Sequence, residues 1–181
     1  MTPPLLSRTV RTSIALHWLT VLLFVAAYAT MEFREVFPKG SAPREAMKSW
    51  HYTAGLSIFV VAWLRLLLRA LTPSRAKEVA MGRWQVLAST LTHLALYGLM
   101  IGLPLLGWLI LSAEGDPIRF FGFDLPALIG PNDGLAEPFE ESHEVIARIG
   151  YALIGIHALA ALVHHYLLRD DTLAKMLPAR S

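Results

Sequence analysis

The chain has no cysteine among its 181 residues. It therefore cannot form disulfides, cysteine-ligated iron–sulfur clusters, covalently attached c-type haem or cysteine zinc sites. Charged residues are also scarce, at 17% of the sequence, and the formal net charge of +2 gives no indication of nucleic-acid binding. Apolar residues make up 55% of the chain, whereas about 45–50% is usual for soluble domains. Any redox chemistry must come from a bound cofactor, and histidine is the ligand type that the sequence offers.

The apolar residues form four runs, each long enough, at about 20 residues, to cross the hydrocarbon core of a membrane. They predict spans at about 12–31, 49–68, 87–111 and 146–168. Arg65 lies near the end of the second run, where its side chain is expected to snorkel to the headgroups. Pro104 lies inside the third, where neighbouring helices can satisfy the freed carbonyl. The fold class expected is an all-α membrane protein, a four-helix transmembrane bundle that forms one domain over residues 1–181.

The distribution of Lys and Arg predicts the orientation of the bundle. Ten basic residues belong to the two termini and the second connection, and six to the first and third connections. Basic residues are enriched in cytoplasmic connections, so both termini of this multi-pass protein are expected in the cytoplasm.

An alternative interpretation of the first run is a secretory signal. Arg8 and Arg11 precede it, and Ala27-Tyr28-Ala29 resembles a cleavage site. The run is long for the apolar part of a signal and contains His17-Trp18, so an uncleaved span is favoured.

The longest connection runs from about residue 114 to 141 and contains the aromatic sequence FFGF at 120–123. Its aromatic side chains are expected to lie at the outer membrane surface. The alternative is that they cover a site beneath them.

Six of the seven histidines lie in or beside the spans, and they are His17, His51, His93, His143, His157 and His164. Ionisable groups within a membrane are costly, generally face the bundle interior and mark function. No Asp, Glu or Lys lies in the middle of a span. The imidazoles are therefore expected to be neutral, which is the form that ligates a metal.

Histidine spacing on the fourth span predicts two cofactor levels. His143 and His157 are 14 residues apart, which places them on nearly the same helix face about 21 Å apart. His164 lies farther along the same face, and Gly150 and Gly155 keep that face slim enough for a flat cofactor to enter.

Each level needs a partner from another helix. His51 begins the second span and shares the outer level with His143, while Gly55 one turn later leaves room. His17 begins the first span and shares the inner level with His157, although His93 on the third span competes for that position. Two facing imidazoles fill both axial positions of a haem iron and favour electron transfer over oxygen binding. The second ring nitrogen of each ligand is expected to donate to a backbone carbonyl.

Three segments of the sequence carry a further likeness, and they are ALHW at 15–18, AYATMEFR at 27–34 and GIHALAALVHHY at 155–166. By them the chain resembles the bacterial cytochrome b561 family, and most of all its superoxide oxidase members.

The resemblance implies an inner-membrane oxidoreductase with two haem b groups. Such a protein oxidises superoxide on the periplasmic side and passes the electrons through both haems to ubiquinone. The axial ligands implied are His17, His51, His143 and His157, which favours His17 over His93 at the inner level. The partners expected are the lipid bilayer, superoxide and ubiquinone, with no nucleic acid and no protein partner required.

Substrate-binding residues can be suggested from this mechanism. A local cationic patch would raise the capture rate of the superoxide anion, and its candidates are Arg34, Lys39, Arg44 and Lys48. A quinone needs an apolar slot with a hydrogen-bonding group near the inner haem, and its candidates are His93, His164 and Trp18.

Two other functions are alternatives. One is a haem b relay subunit that serves a periplasmic dehydrogenase or hydrogenase. The other is a metal-ion transporter, which is disfavoured because neither carboxylates nor cysteines accompany the histidines within the spans.

Overall fold

A computed structural model describes residues 4–71 and 82–177 of the chain. Its four long helices are α1 Pro4–Arg34, α2 Ala42–Leu71, α3 Arg83–Glu114 and α4 Asp133–Tyr166. Between α3 and α4 lies an antiparallel hairpin of β1 Ile118–Phe120 and β2 Phe123–Leu125, and a 3-10 turn, Ala174–Met176, follows α4. All four helices are long and apolar enough to cross a membrane, which confirms the predicted transmembrane helices.

The helices extend beyond the predicted spans at every end except the last, because a helix does not have to end where the hydrocarbon core ends. α4 ends at Tyr166, two residues before the predicted end. The largest extension is at the start of α4, which begins at Asp133 rather than near residue 146. α3 remains one helix through Pro104 and ends at Gly115, whose positive φ of 74° gives the left-handed conformation that terminates many helices.

α1 packs against α2, α3 packs against α4, and α2 joins the two pairs by packing against α3. Small side chains at the contact, including Ala27, Ala54 and Ala62, let the helices approach closely. Large apolar side chains on the outward faces are exposed, among them Leu22 on α1 and Ile156 on α4. Such faces suit lipid, where outward apolar side chains carry no penalty.

The two ends of the bundle differ in structure. One end, here called the hairpin end, carries the connection from α1 to α2 and the β-hairpin. The other, here called the terminal end, carries the start of α1, the end of α2 and the segment that follows α4. Phe121 and Gly122 form the two-residue turn of the hairpin, both with positive φ, as a tight turn matching the strand twist requires.

The hairpin covers the interior of the bundle at its end. Ile118 is buried against Leu56 of α2 and Leu111 of α3, and the indole of Trp108 donates a hydrogen bond of 3.0 Å to the carbonyl of Pro126. Phe121 at the turn is exposed. The expectation of a surface segment therefore holds for the turn, and the strands cover what lies beneath.

Tyr28 joins α1 to α4 in the part of the bundle nearer the hairpin end. Its hydroxyl donates to the carbonyl of Ala147 at 2.9 Å, and its ring centroid lies 4.0 Å from that of Tyr151. The hydroxyl and the Leu99 side chain occupy the space beside buried Gly150, so that a Cβ there would collide with the hydroxyl oxygen. The expectation that Gly150 leaves room for a cofactor is therefore wrong.

Gly150→Ala is expected to destabilise the protein because its methyl group forces the Tyr28 hydroxyl off the Ala147 carbonyl, at a cost of about 1–3 kcal/mol. Thermal unfolding in detergent, followed by circular dichroism, measures the loss. Tyr28→Phe removes the colliding oxygen, so Gly150→Ala should cost less in that background. An equal cost in both backgrounds would contradict the proposed collision.

Candidate cofactor site

His51 of α2 and His143 of α4 face each other beneath the hairpin, with ring centroids 6.1 Å apart and ring planes at 72°. Two imidazoles that bind one metal ion from opposite sides place their centroids about 6 Å apart, since each metal–nitrogen bond is about 2 Å and each ligating atom lies about 1 Å from its ring centre. The separation is thus the one that axial ligation of a single ion requires.

The tautomer of His51 is set by the neighbouring helix. Its Nδ1 lies 2.9 Å from the carbonyl oxygen of Ala27, so Nδ1 carries the proton and donates it, which leaves Nε2 free to bind a metal. Nδ1 of His143 is buried without a hydrogen bond of ordinary geometry in the described ranges, and the Leu103 carbonyl lies close to this ring. If Nε2 binds a metal, Nδ1 carries the proton and can donate it to that carbonyl.

A partly open cleft with a cavity of about 80 Å³ lies at this histidine pair. Gly55 has no atom near its missing side chain and Gly107 lies against the His143 ring, so both glycines widen the slot. The remaining lining is mostly apolar and includes Phe24, Leu56, Ile58, Leu103, Pro104, Trp108 and Ile118.

Three histidines meet near the terminal end. The ring centroid of His157 on α4 lies 6.4 Å from that of His17 on α1 and 5.6 Å from that of His93 on α3. Both distances are close to the separation of two axial ligands, so this arrangement leaves the choice between His17 and His93 open.

The two competing histidines differ in their second contacts. Nδ1 of His93 donates to the carbonyl of Ser89 at 2.6 Å, but the residue is exposed. His17 is half-buried, and its Nδ1 accepts a 3.4 Å contact from the guanidinium of Arg65. The predicted donation to a backbone carbonyl is therefore found at His51 and His93.

Arg65 does not extend to the headgroups as expected. Its guanidinium turns into the bundle, where it donates to the Thr20 hydroxyl at 3.1 Å and lies 5.7 Å from the centroid of the Tyr97 ring. Arg69, one turn later on α2, is exposed at the helix end.

The segment after α4 folds back over the terminal end. The indole of Trp18 donates to the carbonyl of Met176 at 2.7 Å, and Nδ1 of His164 lies 2.5 Å from a carboxylate oxygen of Asp170. Hydrogen bonds from His164 and Thr172 hold the pKa of Asp170 well below its ordinary value. Asp170 was not among the predicted site residues, because only the left-handed turn at Arg169 brings it back to His164.

The four predicted entrance cations lie at the hairpin end but differ in how far they are buried and paired with other groups. Arg44 is buried and donates to the carbonyls of Arg34 and Phe37 and to Glu35, so it closes the end of α1. Its hydrogen bond to Glu35, followed by that of Arg34, keeps the pKa of Glu35 below its ordinary value. Lys48 makes a long 3.6 Å pair with Glu45, and Lys39 is exposed. The accessible positive charge is thus at Lys39 and Lys48.

The described residues suit a metal-bearing macrocycle better than a bare ion. Within those residues no three His, Asp or Glu side chains form a group that could hold a metal ion. The hairpin end instead offers the pair His51 and His143, and the terminal end offers His157 with either His17 or His93. The pocket at the hairpin end is apolar, with gaps at its glycines. Axial nitrogen ligands around a flat apolar plate are what haem b needs, so the residues fit this group.

Comparisons with known proteins agree with this chemistry. The family model for prokaryotic cytochrome b561 matches residues 8–179. Cytochrome b561 homolog 1 of Escherichia coli (strain K12) is 38% identical over 175 residues, which cover 97% of this chain and 99% of that protein. The probable superoxide oxidase CybB of Yersinia pestis is 34% identical over 167 residues, 92% of this chain and 94% of that protein. Cytochrome b561 homolog 2 of Escherichia coli (strain K12) is 29% identical over 166 residues, 91% and 88% of the two chains.

Asp170→Asn is expected to loosen the segment over the terminal end and lower thermal stability at neutral pH. The pKa of Asp170 is lower in the folded chain than the value of about 3.9 for an unfolded Asp. The stabilisation is therefore complete above about pH 5 and is lost as pH falls through the folded pKa. Melting curves at several pH values should show the difference between wild type and variant shrinking in acid. Asp171→Asn is the control, and an effect as large there would contradict a specific role for Asp170.

Proposed function

The chain belongs to the prokaryotic cytochrome b561 family, and from this premise we propose that it is a superoxide oxidase of the bacterial inner membrane. The family consists of multi-pass membrane proteins that bind haem b and transfer electrons. The finer proposal is that this chain binds two haems, takes electrons from superoxide in the periplasm and delivers them to ubiquinone.

One observation carries the proposal, namely that α4 meets a histidine of another helix at each of two heights. The pairs are His51 with His143 at 6.1 Å and His17 with His157 at 6.4 Å. Two such pairs on one side of α4 suit two axially ligated haems, and these four histidines are the ligands proposed.

The basic residues indicate which end of the bundle faces the periplasm, and hence the direction of the proposed electron transfer. If both termini are cytoplasmic, as the distribution of Lys and Arg favours, the hairpin end faces the periplasm and the terminal end faces the cytoplasm. Two superoxide anions then lose one electron each and leave as O₂, and ubiquinone takes up two electrons and two protons. Haem b supplies the one-electron redox chemistry between the two ends when it is bound.

At the hairpin end, the protein has to admit a small anion and exclude bulk water from the slot. Lys39 and Lys48 provide local positive charge, while the guanidinium of Arg44 is held by its hydrogen bonds at the end of α1. Ile118 and its strand lie over the His51 side of the slot. A path to the slot beside the strand, flanked by Lys48, is therefore the proposed superoxide entrance.

At the terminal end, Trp18, His93 and His164 remain the proposed quinone-binding residues. Asp170 fixes the ring of His164 through Nδ1, which leaves Nε2 able to hydrogen-bond a quinone oxygen and to pass it a proton. The family resemblance favours His17 as the haem ligand, and that frees His93 for the quinone.

The decisive test is turnover by the purified protein in ubiquinone-containing liposomes supplied with superoxide. Quinol is expected to form without any added protein. Quinol formation only when a dehydrogenase or hydrogenase is added would favour the relay subunit instead.

Single histidine variants test the ligand assignment. His51→Ala and His143→Ala are expected to lose the haem at the hairpin end, and His17→Ala and His157→Ala the other haem, or to leave each iron high-spin. His93→Ala should retain both haems because it is not proposed as a ligand. The haem-to-protein ratio and the absorption spectrum measure these outcomes. If His93→Ala loses a haem and His17→Ala does not, His93 is the haem ligand and the assignment of His17 is wrong.

Lys39→Gln and Lys48→Gln are each expected to lower kcat/KM for superoxide by a few-fold at low ionic strength, because local positive charge speeds the capture of an anion. The difference from wild type should shrink as salt is added. Lys175→Gln, near the opposite end, is the control. Rates that stay the same at all ionic strengths in both variants would rule out this entrance.

A further inference from the structure

Arg65 brings a positive charge into the interior of the bundle near the terminal end. Its guanidinium contacts the hydroxyl of Thr20, Nδ1 of His17 and the face of the Tyr97 ring. These groups come from α1 and α3, so the side chain of an α2 residue lies between three helices. Arg65 is therefore placed by the fold and is not a surface cation.

All the contacts of this guanidinium are with neutral groups. No ion pair joins Arg65 to a carboxylate in the described ranges 4–71 and 82–177. A guanidinium keeps its charge inside a protein, and an intramembrane charge without a partner of opposite sign is costly. The position calls for an anion that these residues do not supply.

The contact with His17 is also incompatible with iron binding by that residue. A neutral imidazole has one N–H and one acceptor nitrogen. If Nδ1 accepts from Arg65, Nε2 carries the proton and cannot bind a metal. If Nε2 binds iron, Nδ1 carries the proton and turns an N–H towards the guanidinium. Ligation by His17 therefore deprives Arg65 of an acceptor.

We propose that Arg65 binds an ionised carboxylate of the haem held by His17 and His157. This inference rests on the proposed function, because it requires haem at the terminal end. Haem b carries two propionate side chains, so the prosthetic group itself brings the missing anion. Arg65 exchanges its long contact with His17 for a charge-assisted hydrogen bond to a propionate, and His17 is released to bind iron.

The charge has a second effect, on the reduction potential of that haem. Reduction of ferric haem adds one negative charge, which a nearby fixed cation stabilises. Arg65 therefore raises the reduction potential of the haem at the terminal end.

The test compares Arg65→Gln with Arg65→Lys by haem content and spectroelectrochemical titration of the intact protein. Arg65→Gln is expected to lower one of the two midpoint potentials, or to lose about half of the bound haem, because the counter-charge is gone. Arg65→Lys keeps the charge and should retain both haems, with a smaller shift. Arg69→Gln is the matched control, since it removes an exposed charge from the same helix one turn later, and it should resemble wild type.

A second measurement holds even if Arg65→Gln folds poorly, and it also identifies the source of the anion. Wild type and Arg65→Lys are freed of haem and reconstituted with haem b or with its dimethyl ester, which has no ionisable carboxylates. The ester is expected to bind the terminal end of wild type less tightly than haem b does. If an anionic lipid phosphate were the partner of Arg65 instead, haem b and its dimethyl ester would bind the terminal end equally tightly.

The outcomes separate this inference from the proposed function. Wild type with two haems and Arg65→Gln with unchanged haem content and potentials would overturn the role of Arg65 and leave the dihaem proposal intact. Equal binding of haem b and its ester at the terminal end would overturn it as well. Wild type with no haem at that end would refute the dihaem proposal, and the role of Arg65 with it.

Discussion

The placement of imidazoles on α4 is the constraint on which the rest of the structure depends. His143 and His157 lie two heptads apart, so one helix presents a nitrogen ligand at two heights. The other helices must then bring a ring to within about 6 Å at each height, which fixes the depth at which α1 and α2 pack. Neutral imidazoles in an apolar bundle are costly when alone, and the haems proposed between them would offset that cost.

Most of the helical framework could be predicted from the sequence, because an uninterrupted apolar run of the right length has few alternatives in a membrane. The pairing of His51 with His143 was predictable for a similar reason, since depth in the bilayer follows from position along a helix of known rise. The bounds of α4 were not, because its polar first turns extend past the apolar run and leave no hydropathy signal.

The errors concern side-chain direction. Arg65 was expected to point to the headgroups, and Gly150 was expected to make room for a cofactor. Both expectations considered one helix alone, whereas the outcome depends on what a neighbouring helix presents. Thr20 and Tyr97 give the guanidinium an interior position, and Tyr28 occupies the space beside Gly150. Asp170 was missed for a related reason, since a turn after the helix, invisible to periodicity, returns it to His164.

The bridge made by Tyr28 also bears on what can leak through the bundle. A proton crosses a membrane protein along a continuous file of water or polar groups, while an electron can pass through packed side chains between redox centres. The Tyr28 hydroxyl, held by the Ala147 carbonyl, lies directly against Gly150, and Leu99 packs on the same glycine. Side chains packed this closely beside Gly150 leave no space there for a file of water.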